Sequence, residues 1–272
     1  MRTQAEKGAL FRALHARAGI ILLPNPWDAG TAKLLESLGF EALATTSLGM
    51  SNALGRVDGD GSVSRAELLE NCRIIAGATD LPVNADLENG YADDPKEAAS
   101  ILRDAAAVGI AGGSIEDWSG ERIYDFNHAV ERVAAGVETA RSLDTPFTFT
   151  ARAENLIRGR NDLDDTIRRL QAFEKAGADV LYAPGLRDVA TIRKVVAEIG
   201  KPLNMVMSAG DPDLTVDQLE AAGVKRVSVG GALSRLALAA FMKGARAMKA
   251  GSFTWMRDTM PTPELKKVFG GG

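Results

Sequence analysis

A short apolar run followed by a helical pattern recurs eight times in one polarity along this chain of 272 residues, and that repetition constrains the fold more than any single motif. Strand candidates begin near residues 20, 41, 81, 110, 146, 179, 202 and 226. Helical patterns follow near 29–38, 64–76, 94–108, 124–142, 163–176, 187–199, 214–222 and 231–249. Several close on a glycine just before the next strand, as in Ala107-Val-Gly109, Lys175-Ala-Gly177 and Ala221-Ala-Gly223, where a helix C-terminus is expected. Eight such units predict an α/β fold, a single (β/α)8 TIM barrel. An open nucleotide-binding sheet would usually offer Gly-x-Gly-x-x-Gly after an early strand, and the sequence has none there. No stretch is rich enough in Pro, Gly or Ser to divide domains, so residues 1–272 read as one barrel domain. An N-terminal helix over Thr3 to Arg17 precedes the repeat, and residues 47–61 are expected to form a Gly-containing loop. The segment 250–272 carries Phe253, Trp255, Met256, Leu265, Val268 and Phe269, a C-terminal helical extension that packs back on the barrel or against a neighbouring subunit.

Charge gathers where the strands end. Leu81 to Ala85 delivers Asp86 and Glu88 into a Gly-containing turn, Ile110 to Ile115 leads into Glu116-Asp117, and Phe147 to Thr150 leads into Ala151-Arg152. In a parallel barrel those ends converge on one face. Carboxylates gathered there are costly unless a cation meets them, and a divalent metal is the simplest one. The expected metal ligands are Asp86 and Glu116, with Glu88 and Asp58 equally well read as solvated acids. Oxygen ligands without a histidine or cysteine cluster suit Mg²⁺ or Mn²⁺ better than Zn²⁺. Arg152 offers a planar guanidinium to a carboxylate, the alternative being an ion pair with a strand-end acid. Ser47 with the amides of Leu48 and Gly49 is a second anion-binding candidate, although Thr45-Thr-Ser47 could simply close a strand. Asn204, polar in an apolar strand, faces either a ligand or a partner within the protein. His15, His128 and Cys72 lie within helical patterns and read as structural, and Gly230-Gly231 is too short to specify a phosphate site.

Composition narrows the partners. Thirty-six acidic against thirty-two basic residues give a formal charge of -4, and the arginines are interleaved with acids, which argues against nucleic acid. One cysteine excludes an intrachain disulfide framework, and no apolar run is long enough for a leader or a membrane span. A soluble cytoplasmic protein is expected.

Taken together, Thr45-Thr-Ser-Leu-Gly49 with Asp58, Asn84-Ala-Asp-Leu-Glu-Asn-Gly-Tyr91, Ser114-Ile-Glu-Asp117 and Thr150-Ala-Arg-Ala-Glu-Asn155 resemble the isocitrate lyase / phosphoenolpyruvate mutase superfamily over Leu10 to Gly251. The resemblance implies a Mg²⁺-dependent barrel that makes or breaks C-C or P-C bonds of small 2-oxo or 2-hydroxy acids through pyruvate-like enolates. It implies that Ser47 and the following amides hold a substrate carboxylate, that Asp86 holds the metal with Asp58 and Glu116 around it, and that Arg152 contacts the keto acid. It also implies a homodimer or homotetramer. Two departures stand out: Asn84 replaces the first acid of the family's Asp-Ala-Asp pattern, and Trp118-Ser-Gly-Glu-Arg-Ile-Tyr124 lacks the gating-loop Lys-Cys-Gly-His motif of the lyases and the Lys and Asn of the mutases. Glu121, Arg122 and Tyr124 are the replacements on offer for the proton donor, with Tyr124 counted beside Arg152 and Glu116 as catalytic. The resulting expectation is a lyase or decarboxylase of a small di- or tricarboxylate, with P-C chemistry or a non-catalytic carboxylate-binding barrel as alternatives.

Overall fold

A computed structural model describes residues 2–210 and 213–270. Eight parallel strands form the sheet: β1 Ile21–Leu23, β2 Leu43–Ala44, β3 Val83–Asp86, β4 Gly112–Glu116, β5 Thr148–Arg152, β6 Val180–Tyr182, β7 Leu203–Val206 and β8 Arg226–Ser228. Their order is β1-β8-β7-β6-β5-β4-β3-β2. The remaining seam between β1 and β2 is drawn together by the Ala44 amide, which donates to the Pro24 carbonyl at 3.1 Å. The expected barrel is present, and each strand begins within about three residues of its expected position.

Ahead of the barrel lies α1, Gln4–Ala16, started by Thr3, whose hydroxyl and the Glu6 carboxylate cap each other's backbone amides. Phe11 and Leu14 of α1 are buried with Ile21, Leu23, Ala42, Ala44 and Ala111, closing the N-terminal end of the barrel. Gly112 permits this approach, because a Cβ there would stand 2.9 Å from the Phe11 ring and 2.7 Å from the Thr148 carbonyl. Around the outside run α2 Ala29–Ser37, α3 Ser47–Leu54, α4 Arg65–Gly77, α5 Pro95–Ala107, α6 Phe126–Arg141, α7 Leu163–Ala176, α8 Val189–Ala197, α9 Val216–Ala221 and α10 Ala232–Lys249. The main core lies between these helices and the outward faces of the strands, with Val83, Ala85, Phe149 and Leu181 fully buried in it.

One expectation is corrected. The segment after β2 is not a plain loop: Thr46 adopts an extended conformation, its side chain accepts from the Gly49 amide, and α3 starts at Ser47 and runs to Gly55, a left-handed terminator at φ 68°. Two glycines had masked a helix with good ends. Beyond the barrel, a 3₁₀ turn over Thr254–Asp258 lays Trp255 against Gly244 of α10, and α11, Thr262–Phe269, returns to α2 with Phe269 near Gly30. α10 itself buries only Ser234 and Gly244, leaving Leu236 and Phe241 exposed.

Candidate active site

Strand alternation decides which side chains enter the barrel. In β3, Val83 and Ala85 face the helices, so Asn84 and Asp86 point inward, and Asp86 sits at the C-terminal mouth. Its backbone amide donates to Thr45 Oγ1 at 3.0 Å, and Ser47 Oγ donates to its carboxylate at 3.2 Å. The strand then stops. Glu88 and Tyr91 take positive φ values of 49° and 61°, so Glu88 leaves the strand's alternation while its carbonyl accepts from the Glu116 amide at 2.9 Å. Tyr91 donates to the Glu88 carboxylate at 3.3 Å, yet burial, reinforced by Asp86 and Asp58, pushes that carboxyl's pKa up to about 7.

Opposite stands Arg152, the last residue of β5. Its Nε is hydrogen-bonded to Glu154, and its Nη1 lies 3.4 Å from Glu116 and 3.6 Å from Asp86. The guanidinium also faces the Tyr182 ring at 5.1 Å. Burial opposes its charge, but Glu154, Glu116 and Asp86 outweigh that cost and raise its pKa. Glu116 is raised as well, first by burial and then by the Glu154 and Asp86 charges, against the pull of Arg152 and Arg158. Asp58 is raised by burial and by Asp86, although Ser51 donates to it at 3.4 Å.

Asp86, Arg152 and Asn204 line one cavity of about 50 Å³, and Ser47, Asp58, Glu88 and Glu116 stand around Asp86 and Arg152. Leu48 follows Ser47 in the first turn of α3, where amides lack an acceptor within the helix, whereas the Gly49 amide is already taken by Thr46. Gly49 is required there by space, since a Cβ would meet Thr46 at 2.6 Å and Trp27 at 3.0 Å. Tyr124 is placed elsewhere: it is buried, its hydroxyl is hydrogen-bonded to Asp93, and burial lifts its pKa to about 12. Glu121 and Arg122 are exposed in a loop pinned where Trp118 pairs with Ile123. Cys72 is buried, its thiol pushed up to about 12 by desolvation, and His128 contacts the Asp93 carbonyl at 3.0 Å.

The donor set at the mouth is all oxygen, and its carboxylates raise one another, which is what a hard cation offsets. Among the described residues no three acidic, histidine or cysteine side chains converge on one point, so such a cation would be completed by water. Asn84 Oδ1, buried and without a hydrogen-bond partner among the described residues, lies beside Gly112 and the Phe11 ring, below the mouth.

Sequence reading passed over Glu154 and Arg226. Glu154 is fully buried, ties Arg152 to Arg158, and is seated by its own amide donating to Asp117 Oδ1 at 2.7 Å. Its two-residue spacing from Arg152 was the available signal. Arg226 is hidden behind Lys225 in what looks like a solvated basic pair.

A sequence profile for phosphoenolpyruvate phosphomutase matches residues 11–249. An uncharacterized protein of Mycobacterium tuberculosis is 31% identical over 259 residues, 94% of each chain. The 2,3-dimethylmalate lyase of Eubacterium barkeri is 28% identical, covering 79% of this chain and 76% of its own. Among solved structures, a lyase/mutase candidate from Burkholderia cenocepacia J2315 superposes with a TM-score of 0.95 at 49% identity, covering 98% of this chain and 97% of that one.

Proposed function

The chain belongs to the isocitrate lyase / phosphoenolpyruvate mutase superfamily, and on that premise we propose that it is a Mg²⁺-dependent C-C bond lyase or decarboxylase of a small 2-oxo or 2-hydroxy di- or tricarboxylate, working through a pyruvate-enolate-like intermediate. The observation that carries this reading is the position of Arg152, held between Asp86 and Glu116 at the mouth of the barrel. Asp86 would hold the cation, with Asp58, Glu88 and Glu116 around it, and Mn²⁺ would serve the same donors. When bound, the ion supplies Lewis-acid stabilisation of the negative charge that develops on the substrate.

The chain's own groups do the rest. Ser47 Oγ and the amides of Ser47 and Leu48 orient the substrate carboxylate, and the Arg152 guanidinium stabilises the enolate oxygen where charge accumulates. In a decarboxylation the C3–C4 bond breaks, its electron pair moves into the C2–C3 enolate, CO₂ leaves, and C3 takes a proton. With the Tyr124 hydroxyl hydrogen-bonded to Asp93, the proton comes from water. Glu154 is a positioning residue that keeps Arg152 aimed. The exposed apolar face of α10 supports a homodimer or homotetramer. We read the protein as soluble and cytoplasmic, and among the described residues no helix is long and apolar enough to cross a membrane.

The test is a coupled assay for pyruvate with oxaloacetate and alkylmalate-type acids and Mg²⁺, each against a protein-free control. Pyruvate above the control, abolished by EDTA, is expected. No pyruvate from any of these acids, with inorganic phosphate released from phosphonopyruvate in a phosphorus-NMR experiment, would transfer the assignment to P-C chemistry.

A further inference from the structure

The floor of the same cavity carries a second guanidinium. Arg226 of β8 is 2% exposed, and it borders the cavity together with Asp86 and Arg152. Its tethers are all neutral: Nε donates to Asn204 Oδ1 at 2.7 Å, Nη2 to Thr150 Oγ1 at 3.1 Å, and Nη1 meets His15 Nε2 at 3.4 Å. The His15 tautomer follows from its other nitrogen. Nδ1 lies 2.7 Å from the Phe11 carbonyl, which can only accept, so Nδ1 carries the hydrogen and Nε2 offers its lone pair to the arginine. Burial, with the Arg226 charge behind it, holds the His15 pKa down to about 4, so the ring is neutral at pH 7.

Among the described residues no carboxylate forms an ion pair with Arg226, whereas Arg152 has Glu154, Glu116 and Asp86. Burial lowers the Arg226 pKa to about 10, which still leaves it charged at neutral pH. Three of the five N–H groups of its guanidinium are engaged by those tethers, so two remain. A buried cation with no counter-ion is destabilising, and a strut between β5, β7 and β8 could be built from uncharged side chains at lower cost. The geometry therefore points to a ligand: we infer that Arg226 receives a second acidic group of the substrate, a carboxylate or phosphonate carried beyond the 2-oxo acid head that the mouth holds. This rests on the proposed function, and it deepens that reading by making the floor select diacids over monoacids.

The dimensions agree. Thr150, which Arg226 touches, lies two residues below Arg152 on the same face of β5, a separation of about 6.6 Å at a strand's rise per residue. A diacid of about five carbons, with its outer carboxylate oxygens about 7 Å apart, reaches from one level to the other.

Isothermal titration calorimetry on the Mg²⁺-loaded protein tests this with pyruvate, 2-oxovalerate, 2-oxoglutarate and 2-oxo-4-phosphonobutyrate. Wild type is expected to bind at least one of the two diacids about tenfold or more tighter than 2-oxovalerate, which has the same carbon chain as 2-oxoglutarate without the second charge. The preferred diacid identifies the acid as carboxylate or phosphonate. Arg226→Gln should erase the preference by weakening the diacids about tenfold more than pyruvate, while Arg226→Lys, which keeps the charge and loses the tethers, should retain part of it. Pyruvate binding without any diacid preference in wild type would overturn the inference and leave the proposed function standing. Equal weakening of all four acids in a folded Arg226→Gln protein would reduce Arg226 to a strut and overturn it as well. If Arg226→Gln fails to fold, the wild-type preference and its retention in Arg226→Lys decide. Failure of every 2-oxo acid to bind would instead remove the proposed function and this inference with it.

Discussion

The mouth and the floor of the barrel interior carry opposite imbalances. At the mouth, Asp58, Asp86, Glu88, Glu116 and Glu154 surround Arg152 and Arg158, and burial with mutual repulsion raises the pKa of Asp58, Glu88 and Glu116. At the floor, one guanidinium stands among neutral hydrogen-bond partners. A protein interior tolerates neither excess well, because desolvated charge is stabilised only by a close partner. The mouth carries more carboxylates than guanidinium groups and the floor carries a guanidinium without a carboxylate, an imbalance that the proposed metal and diacid would offset at both ends. The arrangement thus resembles an electrostatic mould of its ligand, built from charges that the fold alone leaves uncompensated.

The largest effect that could break this comparison is expected at Asp86. Asp86→Asn keeps the Ser47 and Thr45 contacts sterically and removes the charge that would hold the metal. It should lower kcat/KM by about a thousandfold, roughly 4 kcal/mol, and abolish the rise in Tm that Mg²⁺ is expected to cause in wild type, while leaving circular dichroism unchanged. A retained Mg²⁺ response would show that the mouth's carboxylates do not act as a cation site. Next comes Glu154→Ala, which leaves the largely buried Arg152 and the exposed Arg158 without their shared carboxylate. A stability loss of about 3 kcal/mol by urea denaturation is expected, with kcat falling because Arg152 is no longer aimed. A smaller effect is expected at Gly49→Ala, where the new methyl must displace Thr46 or Trp27. It should cost about 1–3 kcal/mol and raise KM more than it lowers kcat, since the first turn of α3 would shift away from the substrate carboxylate.

The mouth was far more legible in the sequence than the floor, for a physical reason. Asp86, Glu116 and Arg152 follow apolar runs directly, so a charge at the end of a strand is visible as a break in the pattern. The barrel was legible in the same way, through helix-ending glycines such as Gly177 and Gly223. Arg226 instead begins its strand, after Lys225, and only the alternation Arg226-Val227-Ser228 with Val227 turned to the core would have pointed it inward. α3 was hidden because Ser47-Leu-Gly49 reads as a turn until the Thr46 cap is recognised. Tyr124 looked like a catalytic replacement because its loop follows Glu116, but Asp93, thirty-one residues upstream, claims its hydroxyl. No local pattern could have shown that contact.

The smallest prediction separates the two regions by pH. At the mouth the Glu88 pKa is raised from 4.5 to about 7, so its contribution to stability is fully present below pH 4.5 and is lost as pH rises through about 7. At the floor the His15 pKa is lowered from 6.5 to about 4, so its contribution is fully present above pH 6.5 and is lost as pH falls toward 4, because the unfolded chain takes up a proton that the folded one refuses. The two slopes oppose each other between pH 5 and 7 and partly cancel in the wild type. His15→Gln can still donate to the Phe11 carbonyl and accept from Arg226, but it cannot titrate. Its stability relative to wild type, from urea midpoints, should therefore rise by about 1–2 kcal/mol on going from pH 7 to pH 5. A difference that stays constant over that range would mean that His15 protonates in the folded state, and that a second cation is tolerated beside Arg226. The floor would then be better solvated than its burial indicates, and the contrast with the mouth would shrink accordingly.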